Sequence, residues 1–252
     1  QERMQGRSSM SMLHACACAG GLAGVTLGSG MAGLGVSPLL HFAGLALPFV
    51  VLLPLGVNRL PADDAGEKIE KKAFVIPRGG LALLGALGFL GAIAEGSIAD
   101  WAGIFMKDHF GASDGFAPLS LAAFSTMMLL SRMAGDRLKA RHGARILVMG
   151  GALLAAAGLF FAVFAPNQYY ALGGFAIAGM GLALVFPFVF SAAGREGTVA
   201  LAGVATMTYS GSLMGPPMLG AIAHTFGLEM AMGFVGVLAI GIAVVTSRSA
   251  LM

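Results

Sequence analysis

The 252-residue chain is 57% hydrophobic and only 11% charged, against about a quarter charged in an ordinary soluble domain. That composition excludes a water-soluble globule and calls for a membrane protein. The excess of 15 Lys and Arg over 12 Asp and Glu, a formal charge of +3, does not require nucleic acid, because membrane proteins gather cations on their cytoplasmic loops.

The apolar residues fall into eight blocks, approximately 9–31, 36–57, 79–106, 113–133, 146–165, 168–192, 199–222 and 229–247. Each is close to the roughly 20 residues a helix needs to cross the hydrocarbon core. None shows the period-two alternation of a membrane barrel strand. The expected fold class is therefore all-α, a polytopic bundle of eight transmembrane helices.

In the first block Cys16 and Cys18 are two apart, so on a helix they point to nearly opposite sides and cannot share a metal ion. They read as small packing residues. The same block spaces Gly20, Gly24 and Gly28 every fourth residue, a flat strip that favours close helix approach. After the second block, NRLPADDAGEKIEKKAFVIPR, Asn58–Arg78, is long and charged. It divides two spans from six, giving 1–57, a linker at 58–78, and 79–252.

The third block carries AEGSIADWAGIFM, with two carboxylates in or beside a run fit for lipid. Glu95 lies near the middle of the span, where a charge costs roughly 2.5 to 3.5 kcal/mol on insertion scales. It needs a proton, a partner or water. Two readings stand: a structural carboxyl, protonated or bonded to a neighbouring helix, or a cavity-facing substrate or proton site. Asp100 is five residues on, turned about 140° from Glu95, so the two do not form a dyad. Beside Trp101, which reads as a residue of the interfacial belt, Asp100 is either part of an outer gate or a helix end that is hydrated or paired with Lys107.

Between the fourth and fifth blocks lies GDRLKARHG, Gly135–Gly143. With the first block leaving the cytoplasm, the inward loops hold Arg3, Arg7, Arg59, Lys68, Lys71, Lys72, Arg78, Arg137, Lys139, Arg141, Arg145, Arg195 and Arg248, with Arg132 at a cytoplasmic helix end. Only Lys107 falls outside. The bias places both termini in the cytoplasm. Asp136, Arg137 and Arg141 are then either simple anchors or a cytoplasmic latch of ionic and helix-end contacts that breaks when the inner side opens.

The seventh block supplies hydroxyls in ATMTYSGSLMGPPMLG, with Tyr209 a second cavity candidate, while Pro216 and Pro217 remove two backbone donors and imply a kink. His14, His41 and His224 stand alone and read as hydrogen-bonded helix residues. There is no metal-ligand spacing, P-loop, nucleotide fingerprint or nucleophile with a local base. No cofactor is expected, and an ATP-driven pump is disfavoured.

Helical carriers are commonly built from repeated halves, so two spans plus six suggests four further N-terminal helices upstream. Six spans, a charged cytoplasmic linker and six spans resembles the major facilitator superfamily. GDRLKARHG is similar to its cytoplasmic G-x-x-x-D-R-x-G-R-type signature, with three extra residues between Asp136-Arg137 and Arg141. AEGSIADWAGIF, FPFVFSAAGR and SGSLMGPPMLG resemble its MosC-type, rhizopine-transport-like branch. The resemblance implies that the blocks correspond to family helices five to twelve, that the third block lines a central cavity, and that Asp136-Arg137 serve as the latch. It also implies a secondary transporter in the plasma (inner) membrane, moving a small polar or sugar-like solute by alternating access, with protons through Glu95 as the open coupling option. Two alternatives stand beside it: a truncated, non-transporting membrane protein, and an intramembrane enzyme using Glu95 or Asp100.

Overall fold

The computed structural model describes residues 10–57 and 77–251. Arg3, Arg7, and Arg59, Lys68, Lys71 and Lys72 of the linker lie outside the described residues. The described chain is helical: α1 Met10–Gly33, α2 Pro38–Val57, α3 Gly80–Phe110, α4 Leu119–His142, α5 Ala144–Val163, α6 Gln168–Leu182, α7 Val185–Arg195, α8 Thr198–Phe226 and α9 Leu228–Arg248. Five segments are apolar and long enough to cross a bilayer: Pro38–Leu55, Gly80–Phe110, Ala144–Val163, Gln168–Arg195 and Leu228–Arg248. They fall on five of the eight expected blocks. α1, α4 and α8 also have the length.

The sixth block is two helices, and its sequence holds the cause. Pro187 has no N–H for the carbonyl four residues earlier, so the helix turns over at Ala183-Leu184 and restarts as α7. Other ends follow ordinary capping chemistry. Asn167 Oδ1 accepts from the Tyr169 and Tyr170 amides at 3.0 and 3.3 Å to start α6. α3 ends at Gly111, φ 64°, whose amide bonds to Lys107 O while Ala112 N bonds to Met106 O. At 31 residues, α3 is about 46 Å long and overshoots the ~30 Å hydrocarbon core. Its last turn carries Lys107, Asp108 and His109, groups that belong at headgroup level rather than in hydrocarbon.

The helices cross closely where both carry glycine. A Cβ on Gly158 would meet Gly174 O at 2.7 Å, and one on Gly174 would meet Gly158 O at 2.6 Å, so α5 and α6 touch backbone to backbone. Gly151 against Gly181 repeats the contact two turns away. Gly88 faces Thr208 and Gly211 faces the Phe89 carbonyl where α3 meets α8. Phe105, Phe175 and Phe188 fill the interior, with Phe105 edge-on to Phe175 at 6.2 Å. By contrast, no described atom lies within 4 Å of a Cβ built on Gly20 or Gly24, and one on Gly28 would meet only His41 Nε2 of α2 at 4.0 Å, so their strip seats no close backbone crossing among the described residues. α1 packs on α4 and α7 instead. α2 leaves its apolar side chains exposed, Leu39 at 79% and Val50 at 71%, a surface suited to lipid or to further protein.

Two predictions follow from this architecture. Gly158→Leu or Gly174→Leu should destabilise the bundle by about 1–3 kcal/mol through overpacking, seen as a lowered melting temperature in micelles, while Gly150→Leu, with open space around it, should change little. In the α3–α4 loop, the Lys107 ammonium hydrogen-bonded to Asp114 holds that carboxyl below the usual carboxylate range. The depressed value makes the pairing fully stabilising above the unfolded carboxyl pKa of about 3.9 and lost as pH falls through the folded value. Carboxyl NMR titration should show a low Asp114 pKa that Lys107→Ala returns toward normal.

Candidate functional site

Arg132 sits just past the middle of α4 with its side chain 3% exposed. An arginine does not lose its proton in a protein, so burial forces the fold to supply acceptors. Three arrive from three directions. Nε donates to the Ala183 carbonyl at 2.9 Å, the group that Pro187 leaves without a helical partner. Nη2 donates to Glu95 Oε2 on α3 at 3.3 Å. Nη1 donates to Cys18 Sγ on α1. One turn from Cys18 on the same face of α1, His14 stacks on Phe190 of α7 with ring centroids 5.9 Å apart. A single guanidinium thus joins α1, α3, α4 and the α6–α7 joint.

The Glu95 side chain is 27% exposed. It has a charge partner on one side and access on the other. Such a carboxylate can accept hydrogen bonds from a polar solute or take up a proton, and protonation would remove the charge that Arg132 faces. Of the two readings left open for Glu95, partnership with a neighbouring helix is realised, and the partial exposure keeps a chemical role available to it.

The expectation that Arg132 marks a cytoplasmic helix end is corrected: it is buried and bonded inside the bundle. Lys107 pairs with Asp114 rather than with Asp100. Asp100 is exposed on α3 and has no ion pair among the described residues. Trp101 is half-buried, with its ring 3.4 Å from where a Cβ on Gly220 would stand, so it packs toward α8. Tyr209 is 65% exposed and is not brought to Glu95 by any hydrogen bond or ring contact among the described residues; its neighbour Thr208 is the one that packs on α3. α8 runs through Pro216 and Pro217 as one helix, which frees the Ser212 and Leu213 carbonyls from their helical bonds.

At the Arg-rich end, Arg137 and Arg141 are exposed. The observed link from α4 to α7 runs through Lys139, whose Nζ donates to Ser191 Oγ at 3.2 Å and lies 4.9 Å from the Phe188 ring centre. Arg195 and Arg145 donate to the Leu251 and Ser247 carbonyls near the C-terminus. Sequence reasoning passed over Arg132, Cys18 and Lys139. Pro187 was the available signal for the first, since a proline inside an apolar block orphans a carbonyl that a buried donor must satisfy. Among the described residues no group of His, Cys, Asp and Glu could hold a metal ion.

No family model matches the chain. It is 33% identical over 246 residues to an uncharacterised MFS-type transporter of Yersinia pestis, and 32% identical over 243 residues to the membrane protein MosC of Rhizobium meliloti. These alignments cover 96% and 93% of this chain and 64% and 58% of the relatives, so the chain spans about three-fifths of their length. An uncharacterised transporter of Sinorhizobium fredii is 28% identical over 255 residues. In fold, the chain is similar to crystal structures of FucP, the Escherichia coli fucose:proton symporter. The TM-score is 0.62 over 69% of this chain and 43% of that one. It is 0.64 over 83% and 54% for FucP in the outward conformation, both at 17% identity. A multi-pass helical bundle, its similarity in sequence to an MFS-type transporter and to MosC, and the likeness of its fold to FucP all agree: the chain is similar to carriers of the major facilitator superfamily.

Proposed function

We propose that this chain forms the second half, and the last two helices of the first half, of a secondary transporter that moves a small polar, sugar-like solute by alternating access. The observation that carries the reading is the Glu95–Arg132 pair, a carboxyl group and a guanidinium held between α3 and α4 with Glu95 partly open. Charges inside a membrane bundle are costly and mark solute or ion pathways. Paired, they present a hydrogen-bond acceptor and a cation to a hydroxyl-rich solute. Likeness to a fucose:proton symporter supports the reading at the level of fold.

In this mechanism Glu95 exchanges a proton as the site changes sides. Protonated, it no longer balances Arg132, which stays held by Ala183 O and Cys18 and is free to donate hydrogen bonds to a solute. The α6–α7 joint is the flexible element, because its continuity rests on a side-chain donor rather than on a helical amide. Lys139 on Ser191 closes the cytoplasmic side together with Asp136, Arg137 and Arg141. Asp100 stands toward the outer gate, Tyr209 faces the cavity from α8, and Pro216-Pro217 give that helix its bend. The protein lies in the plasma (inner) membrane with both termini cytoplasmic, and takes no cofactor.

Proteoliposomes of the full chain as made in the cell, loaded with a pH-sensitive dye and challenged with a panel of monosaccharides and polyols, test this. A solute that drives proton entry supports it, and Glu95→Gln should abolish accumulation against a gradient while leaving solute exchange. Unchanged accumulation in Glu95→Gln would reject Glu95 as the proton site.

The pair also predicts an asymmetry in stability. Arg132→Ala strands Glu95 and reorphans the Ala183 carbonyl, and should cost about 3–5 kcal/mol. Removing both charges with Glu95→Gln and Arg132→Met should cost less than Arg132→Ala alone, measured by thermal unfolding in micelles.

A further inference from the structure

At the end of the bundle opposite the Arg-rich loops, a groove of about 1060 Å³ opens between α5 and α9 and the ends of α3 and α8. Its walls are aromatic and aliphatic: Phe160 and Phe164 from α5 and its end, Phe226 from α8, and Phe234 and Val237 from α9. Its rim is acidic. Asp108 and Glu229 both line it, with His109 Nδ1 held against Glu229 Oε1 at 2.8 Å and the His109 ring stacked on Phe105 at 5.1 Å. Asp108 is exposed and makes no hydrogen bond or ion pair among the described residues. Phe164 is 81% and Phe226 69% exposed.

We infer that this groove is a binding site for a phospholipid with a primary-amine headgroup, a phosphatidylethanolamine, from the leaflet at this end. Three observations fix the occupant. The α3 end overshoots the hydrocarbon core, so Asp108, His109 and Glu229 sit at headgroup depth while the apolar walls run below them, matching the two-part chemistry of a lipid. The groove lies away from the side where α1 docks, since α1 packs on α4 and α7 whereas the walls belong to α5 and α9, so it faces the bilayer. The rim carries two carboxylates against one histidine, which suits an ammonium with three N–H donors. A choline group has no N–H to give, and an anionic glycerol lipid is repelled. The inference rests on membrane placement alone and stands whether or not the transport reading does.

Gly233 lines the groove, with no atom within 4 Å of a Cβ built on it. A larger side chain there fills the acyl space without touching the acidic rim. The test is native mass spectrometry of the full chain, titrated with dioleoyl phosphatidylethanolamine, phosphatidylcholine and phosphatidylglycerol. The expected result is a preference of about ten-fold for the ethanolamine lipid over the choline lipid, the worth of one charge-assisted hydrogen bond. Asp108→Asn with Glu229→Gln should bring the two lipids to parity, and Gly233→Leu should weaken both. Melting curves in lipid-free detergent establish that the variants are folded, and Glu229→Asp, which keeps the charge, should retain the preference. Equal binding of the first two lipids by the unaltered protein, a preference that survives Asp108→Asn with Glu229→Gln, or binding of both lipids that Gly233→Leu does not weaken, would overturn the assignment.

Discussion

The arrangement of the bundle depends on one buried cation. Moving a guanidinium out of water costs several kcal/mol unless its donors find acceptors, and Arg132 gives each of its three nitrogens a partner from groups that no single helix could supply. The backbone carbonyl comes from the α6–α7 joint, the carboxylate from α3 and the thiol from α1. Arginine's fork is planar and fixed, so its partners must hold their directions as well as their distances; a lysine would supply a point charge and free rotors instead. The ion pair is therefore better understood as fixing which helices stand together, and in what register, than as a large contribution to stability.

Distance between the helices is set by different chemistry. Lipid tails are as apolar as the helix surfaces, so association draws on van der Waals contact and on polar bonds between helices. The glycine pairs at Gly151–Gly181 and Gly158–Gly174 let α5 and α6 meet at their backbones, and the glycine face of α3 admits Met207 and Thr208 of α8. Glycine spacing alone does not choose a partner, however. The Gly20, Gly24 and Gly28 strip has the same spacing, yet α1 docks through His14 and Cys18 on another part of its surface.

Composition and block length were enough to read a helical membrane bundle, because hydrocarbon leaves a spanning chain few other ways to satisfy its backbone. Five blocks became helices of spanning length and apolarity. Glu95 was legible for the same reason: one carboxylate in an apolar run stands out against its surroundings. Arg132 was not, since at the end of a block it has the appearance of an ordinary positive-inside residue, and only tertiary structure reveals what covers it. Lys107 had two carboxylates within reach in sequence. The left-handed turn at Gly111 brings Asp114 back to it, and linear spacing cannot convey that reversal. The division of the sixth block was written in Pro187, yet hydropathy averages over a proline and sees one continuous span.

That proline ties the ionic cluster to the shape of the chain. In an unbroken helix the Ala183 carbonyl would be held by the amide of residue 187, a bond internal to one element and indifferent to its neighbours. With proline there, the same carbonyl is held by a side chain from α4, which also holds the carboxylate on α3. The local conformation at Ala183-Leu184 and the charge on Glu95 thus share one donor group. A guanidinium rotates as a rigid plane, so its Nε cannot be reoriented independently of its Nη2. Any event that draws Glu95 away from Arg132, whether a proton or a competing hydroxyl, is felt at the one point in α6 and α7 where backbone hydrogen bonding is already interrupted. A helix broken elsewhere, or a carboxylate paired with a flexible lysine, would lack that shared rigid link.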